Sequence, residues 1–253
     1  MLSKDHVYLS TIDPQAGDLA RKFGLGLEIA EFCTAWNMDE FFPQTDALVR
    51  RTSRQVPNRL LHGPFNELFP CAIDPLAREL AQTRFAQALK LAQDYGAKKL
   101  ILHGGYCPRL YYPSWYTEQS VLFWREFLEK QQADCVICLE NVLEEEPELL
   151  LDIVRQVDDP RLRLCLDVGH VNAYSRVSAA DWMDRSAPWL SHTHFHNNDG
   201  TADTHSGLTQ GTLPIPELLA ALPEGVSVTL ELPQIGDDIQ KLLEWLSTPD
   251  SRE

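Results

Sequence analysis

The sequence holds no run of 18 or more apolar residues, which excludes a membrane-spanning helix. Its first residues, MLSKDHVYLS, lead almost directly into a strand-like run. They lack the charged, apolar and small-residue stretches of a secretory signal, so the cytoplasm is the favoured compartment. Basic residues are scarce: 22 Lys and Arg stand against 37 Asp and Glu, for a formal net charge of −15. A surface this acidic repels a phosphate backbone, which argues against duplex DNA as a partner. The densest basic run, Arg50, Arg51 and Arg54, reads as the solvated face of a helix. No G-x-G-x-x-G fingerprint follows the first strand-like run, which weakens a dinucleotide-binding fold. Cys135 and Cys138 form a lone C-x-x-C without a second pair, and in a strand they would face opposite sides. A zinc knuckle or redox pair is therefore not expected from the six cysteines. No linker, low-complexity stretch or shift in composition divides residues 1–253, so one domain is expected.

What is present is an alternation. Eight short apolar or β-branched runs can be marked: His6–Ser10, Gly26–Ala30, Arg59–His62, Lys99–His103, Cys135–Glu140, Leu162–Asp167, Leu190–His196 and Val226–Glu231. Helix-like segments follow them. Pro75–Tyr95 carries Leu76, Leu80, Phe85 and Leu89 at near-helical spacing, with Asp74 placed as an N-cap and Gly96 just past the end. Glu148–Val157 and Ile239–Leu246 show the same pattern. Alternation of this kind predicts a parallel sheet covered by helices. Eight units in 253 residues, with 44% of them hydrophobic, predict an α/β chain closed into a single (β/α)8 TIM barrel.

Metal-binding residue types collect where such strands end. His62 and His103 close the third and fourth runs, and His170 follows the sixth. His192, His194 and His196 occupy the seventh, with His205 in the loop after it. Glu140, Asp167 and Glu231 end the fifth, sixth and eighth, and Asp203 lies two residues before His205. In a parallel barrel those ends converge on one mouth. Strand parity agrees: an inward Glu140 puts Cys138 and Val136 inside, and an inward Glu231 puts Thr229 and Ser227 inside. Four carboxylates in one mouth are costly without cations. Beside several imidazoles they match what divalent ions such as Zn²⁺ or Mn²⁺ take as ligands. The segment Gly104–Trp115 is long for a βα loop. Its Tyr106, Tyr111, Tyr112 and Trp115 either pack it onto the rim or form a wall of the substrate pocket.

The motifs LHGPF (61–65), LILHGGY (100–106), CLENV (138–142), LCLDVGHVNAY (164–174), HFHNNDGTADTH (194–205) and LELP (230–233) resemble those of the xylose isomerase-like barrels. That superfamily is shared by endonuclease IV-type hydrolases and by sugar isomerases and epimerases. The resemblance implies nine ligands for two or three ions, zinc first, with manganese or iron as alternatives. His62 and His103 would hold one ion, with Glu140 bridging to a second completed by Asp167, His194 and Glu231. His170, Asp203 and His205 would hold a third. His196 shares the parity of His194, and the H-x-H-(D/N)-N pattern favours His194 as the ligand. Glu140 and Glu231 are also the implied catalytic pair. Phe65, Tyr106, Arg109 and His196 are the candidate substrate contacts.

Two chemistries follow from the resemblance. The first is metal-dependent hydrolysis of a phosphoester, on a small nucleotide-like substrate; cobamide-cleaving phosphodiesterases are one home within the superfamily. Four carboxylates against three dications leave the mouth positive by two, so a phosphate is admitted. The second is isomerisation or epimerisation of a sugar or sugar phosphate. It needs only Glu140, Asp167, His194 and Glu231, the two glutamates moving the proton. A non-catalytic ligand-binding barrel is a third reading. DNA-cleaving relatives carry a longer, basic loop between the strand-seven histidine and the D-x-H pair. Here eight residues separate His194 from Asp203, none of them Lys or Arg. Asn197 and Gln210 stand where the family commonly has acids.

Overall fold

The computed structural model describes residues 2–132 and 134–247. Eight parallel strands close on themselves in chain order, the eighth pairing with the first. They are β1 (Val7–Ser10), β2 (Gly26–Ile29), β3 (Arg59–His62), β4 (Lys99–His103), β5 (Val136–Glu140), β6 (Leu162–Asp167), β7 (Leu190–Phe195) and β8 (Ser227–Leu230). The helices α1 (Ala16–Phe23), α2 (Ala35–Met38), α3 (Phe42–Thr52), α4 (Pro75–Asp94) and α5 (Pro113–Lys130) cover the first half of the barrel. Then come α6 (Glu148–Val157), α7 (Val168–Tyr174), α8 (Ala179–Ser186), α9 (Ile215–Ala220) and α10 (Gly236–Ser247). No helix of the described residues is long and apolar enough to cross a membrane.

The predicted boundaries hold within one to three residues, and the differences have local causes. His6 closes a short 3-10 turn before β1. Ala30, Cys135 and Val226 flank their strands outside the ladder. His196 and Glu231 lie one step beyond β7 and β8, where the chain leaves the ladder for the mouth. Helix α4 begins as expected, Asp74 accepting from the Leu76 N–H at 2.8 Å. It ends one residue early, at Asp94 with Tyr95 as the C-cap, because Gly96 takes a left-handed φ of 66°. Helix α10 starts three residues before Ile239. Arg50 and Arg51 lie exposed on α3, and Arg50 pairs with Asp46 at 2.9 Å.

Side-chain alternation divides the apolar residues into two bodies. Leu27, Leu61, Leu100, Leu102, Ile137, Leu139, Val228 and Leu230 point outward and are sealed beneath the helices. Each such fully buried aliphatic contributes about 1.5–3 kcal/mol. Tyr8, Leu60, Ile101, Cys138 and Cys165 point inward and form a small plug, with Val136 against it. Cys135 belongs to the outer body and Cys138 to the plug, as their parity required. One irregularity breaks the alternation. Between β6 and β7 the register steps from Leu164↔Leu190 to Cys165↔His192, leaving Ser191 as an extra residue.

Candidate metal centre

The ends of β3 to β7, the residue after β8, helix α7 and the loop after β7 bring all nine expected side chains together at the C-terminal mouth. Glu140, the last residue of β5, stands at the centre. Its Oε2 lies 3.1 Å from His62 Nε2 and 3.5 Å from His103 Nε2. Its Oε1 lies 3.3 Å from His194 Nδ1 and 3.5 Å from His170 Nδ1. The two oxygens thus face different groups, the arrangement of a bridging carboxylate. His194 Nδ1 also lies 3.2 Å from Glu231 Oε2 and 3.8 Å from Asp167 Oδ2. Asp203 Oδ2 is 3.3 Å from His170 Nε2 and 3.1 Å from His205 Nε2.

The sets that this produces are His62, His103 and Glu140; Glu140, Asp167, His194 and Glu231; and His170, Asp203 and His205 with His196 beside them. Donors on one tetrahedral Zn²⁺, with bonds of 2.0–2.1 Å, sit about 3.3 Å apart. The separations of 3.1–3.5 Å in the close pairs match that spacing. Asp203 Oδ1 is buried with no hydrogen-bond partner, so it has acceptor capacity left for a cation. The residues present fit divalent ions.

Local folding aims each ring. His62 Nδ1 donates to the Gly63 carbonyl at 2.9 Å, which turns Nε2 to the centre. His170 Nδ1 donates to the Asn141 carbonyl at 2.8 Å, and His205 Nδ1 to the Glu231 carbonyl at 2.9 Å. Asp167 caps α7, accepting from the His170 N–H at 2.6 Å with Oδ1. Asn141 staples β5 to β6: its Oδ1 accepts from the Asp167 N–H at 2.8 Å, and its Nδ2 donates to the Asp167 carbonyl at 3.1 Å. His205 takes a left-handed φ of 46°, which an L-residue adopts only under constraint.

Charges in the metal-free site balance one another. Burial pushes Glu140 and Glu231 up, but His194 and its neighbours more than reverse this and hold both below the ordinary carboxylate range. Asp167, buried beside His170 and His196, sits at about 2. Burial pushes His62 and His205 down, yet their bonds to Glu140 and Asp203 carry each up to about 9. His103 has no such bond, and burial drives it to about 4.

The remaining candidates are arranged as follows. His194, and not His196, faces Glu140 and Glu231. His196 is 0% exposed; its Nε2 lies 3.1 Å from Asp167, and its ring stacks on His205 with centroids 3.9 Å apart. It has no surface on which to touch a substrate and reaches the site through the two aspartates. The His196 ring occupies the space above Gly169, where a Cβ would overlap it, which explains the glycine of DVGH. Phe65 stacks on His103, centroids 4.3 Å apart, and meets His62 edge-on. Tyr106 packs on buried Tyr116 at 4.9 Å, and Trp115 belongs to the first turn of α5, where its Nε1 donates to the Cys71 carbonyl. Tyr112 is 82% exposed, so the loop aromatics divide between packing and solvent. Arg109 is exposed at the tip of that loop with a φ of 71°.

Sequence reasoning missed Glu28 and Glu144. Glu28, fully buried in β2, lies 3.0 Å from His194 Nε2 and 3.1 Å from His192 Nε2, and accepts from the Thr229 hydroxyl. Glu144, pushed up to about 6 by burial, accepts from the Val142 N–H at 2.7 Å and from the Tyr116 hydroxyl at 3.2 Å. The only sequence signal for Glu28 was its inward parity in GLEI.

An uncharacterized protein of Methanocaldococcus jannaschii is 28% identical over 175 residues, covering 65% of this chain. The chain spans about 60% of that relative's length. A D-tagatose 3-epimerase-like protein superposes with a TM-score of 0.75 at 22% identity, over 95% of this chain and 97% of that one. A Thermus thermophilus protein, soaked with ZnCl2, gives a TM-score of 0.74 at 23% identity over the same shares. D-psicose 3-epimerases are among the other structures of this fold. The family model of xylose isomerase-like TIM barrels matches residues 19–248, and the chain belongs to that family.

Proposed function

We propose that this protein is a divalent-metal-dependent enzyme that hydrolyses a phosphoester of a small substrate. One observation carries the reading: His170, Asp203 and His205 form a third metal-sized set outside the four residues that a single-ion isomerase needs. Bound ions, zinc in the first place, would supply Lewis acidity and a nucleophile at neutral pH. His62 and His103 would hold one, Glu140 would bridge to the ion of Asp167, His194 and Glu231, and His170, Asp203 and His205 would hold a third.

The chain's own contribution is placement and charge. Glu140 fixes the spacing of the first two positions, since each of its oxygens serves one of them. Asp203 holds His170 and His205 together, its Oδ2 3.3 and 3.1 Å from their Nε2 atoms. Phe65 covers the His62–His103 pair and keeps bulk water from it. Counting Glu28, three dications carry six positive charges against five carboxylates, so the mouth remains attractive to a phosphate. The short loop from His194 to Asp203 offers duplex DNA no basic surface, which favours a small substrate.

A second reading is a sugar epimerase or isomerase, favoured by the names of the structural neighbours. Glu140 Oε1 and Glu231 Oε2 both lie close to His194 Nδ1, at 3.3 and 3.2 Å, so two carboxylates could flank one substrate carbon and exchange its proton.

Asp203→Ala and His205→Ala separate the two. With zinc-loaded protein, bis(p-nitrophenyl) phosphate and a panel of ketoses are assayed. Loss of phosphodiesterase activity by about a thousandfold in both variants supports the hydrolase. Ketose epimerisation by the wild type, with losses in these variants of at most about 10–100-fold and no phosphodiesterase activity, moves the assignment to the second reading.

A further inference from the structure

The ligand histidines are not aimed by the same means. His62, His170 and His205 each give their outer nitrogen to a backbone carbonyl at the mouth. His194 gives its outer nitrogen to a side chain inside the barrel: Nε2 lies 3.0 and 3.2 Å from the two oxygens of Glu28. Glu28 is in turn held by His192 Nε2 at 3.1 Å and by the Thr229 hydroxyl. His192 Nδ1 accepts from Ser227 Oγ at 2.7 Å, and Lys99 Nζ donates to that same oxygen at 2.8 Å. A continuous hydrogen-bonded column therefore runs from Lys99, near the base of β4, to the mouth. Glu28, His192, His194 and Thr229 are all 0% exposed.

A buried carboxylate is expensive unless it is bonded, and this one collects three donors on Oε2, two imidazole N–H groups and a hydroxyl, while its buried Oε1 accepts no hydrogen bond. Its position answers a specific need. His194 must present a bare Nδ1 to the mouth, so its proton must sit on Nε2, and an anionic acceptor, Glu28 Oε2 at 3.2 Å, puts it there. A carboxylate behind a ligating imidazole also makes the ring a stronger donor than a carbonyl does.

We propose that Glu28 is the positioning residue of the centre: it fixes the tautomer and orientation of His194 and strengthens its grip on the ion shared with Glu140, Asp167 and Glu231. This rests on the metal-site reading above but not on the choice of substrate. His192, Ser227, Thr229 and Lys99 then serve to hold Glu28 in place as an anion.

The test uses the full chain loaded with zinc. In ¹⁵N-histidine NMR of the wild type, His194 is expected to carry its proton on Nε2 and a metal-bound shift on Nδ1. By competition against a zinc chelator, Glu28→Gln is expected to weaken one ion by about 10–100-fold and leave the others in place, while Glu28→Asp, which keeps the charge, recovers part of the loss. A proton on His194 Nδ1 overturns the proposal. So does a Glu28→Gln protein that melts lower yet binds every ion as tightly as the wild type, since that is a merely structural role. Should Glu28→Gln fail to fold, the wild-type spectrum decides. A wild type that takes up no zinc overturns this proposal together with the metal reading, whereas full uptake with the wrong tautomer overturns this one alone.

Discussion

The interior of the barrel has two unlike walls. Beneath His62, His103, Glu140 and Asp167, on β3 to β6, the inward side chains are Leu60, Ile101, Cys138 and Cys165. Beneath His194 and Glu231, on β7 and β8 with β2 alongside, they are His192, Thr229, Ser227 and Glu28. The first wall is a dry support that offers the side chains above it no orientation from below; His62 takes its own from the Gly63 carbonyl at the mouth. The second is a bonded column that reaches His194 from inside. The same layer of the fold therefore does packing on one side and electrostatics on the other.

The largest expected effect breaks the comparison, because Glu140 belongs to both sides. Glu140→Ala should lose more than one ion per chain by elemental analysis, and at least about a thousandfold in turnover, since both flanking positions lose their shared ligand. His62→Ala should lose about one ion by the same measurement, as befits a residue serving one position.

Next come paired substitutions that sharpen it. Leu60→Ala should cost about 2–5 kcal/mol by denaturant unfolding, the usual penalty for a cavity in a packed interior, with zinc content unchanged. Thr229→Val keeps the shape but removes a donor from Glu28. It should cost about 1–3 kcal/mol and also weaken zinc binding, which Leu60→Ala does not. Equal effects of the two on zinc affinity would erase the distinction between the walls.

The smallest expected effect is graded with pH. In the metal-free protein, Glu140 and its neighbours overcome burial to carry His62 to about 9, while burial, with His62 and His170 nearby, takes His103 to about 4. Against burial, Cys165 and the surrounding carboxylates raise His194, and the carboxylates raise His170. Zinc uptake near pH 7 must therefore expel protons from His62, His170, His194 and His205 but none from His103. Apparent affinity should rise about tenfold per pH unit for each expelled proton, the share of His62 and His205 flattening above about 9, with proton release measurable by calorimetry in buffers of different ionisation enthalpy. The sign for folding is opposite. Stabilisation of the metal-free protein by His62 and His205 is complete below about 6.5 and is lost as pH rises through about 9.

The two walls were not equally legible in the sequence. Strand ends carry their own markers: His62, His103, Glu140 and Asp167 close apolar runs, and period-two alternation decides which way Cys138 or Thr229 points. The convergence of the nine side chains on one mouth could therefore be read from the residues, while their division into ligand sets came from the family resemblance. Glu28 could not be read, because it sits inside a strand with no motif around it, and its partners His192 and Thr229 lie 164 and 201 residues away. Such a residue declares itself only when closure of the barrel brings β2 opposite β7 and β8. His196 was readable as inward but not as buried, since the ring that covers it belongs to His205, delivered by a loop. Trp115 read as loop because aromatic content does not mark where α5 begins; Pro113 at its first position does.

Ser191, the extra residue of β7, works as a change of phase. Below it Leu190 keeps step with Leu164 and faces the helices; above it His192, His194 and His196 face inward. The strand is thus written in two frames, one for the scaffold and one for the chemistry, joined at Ser191. Deleting Ser191 would let Leu190 and His192 alternate out and in as Leu164 and Cys165 do, and the bulge would have no work left. Pairing Ser191 straight into the ladder would instead bring Leu190 and His192 to one face. Either the three imidazoles would then turn to the apolar exterior, or Leu190 would turn into the barrel.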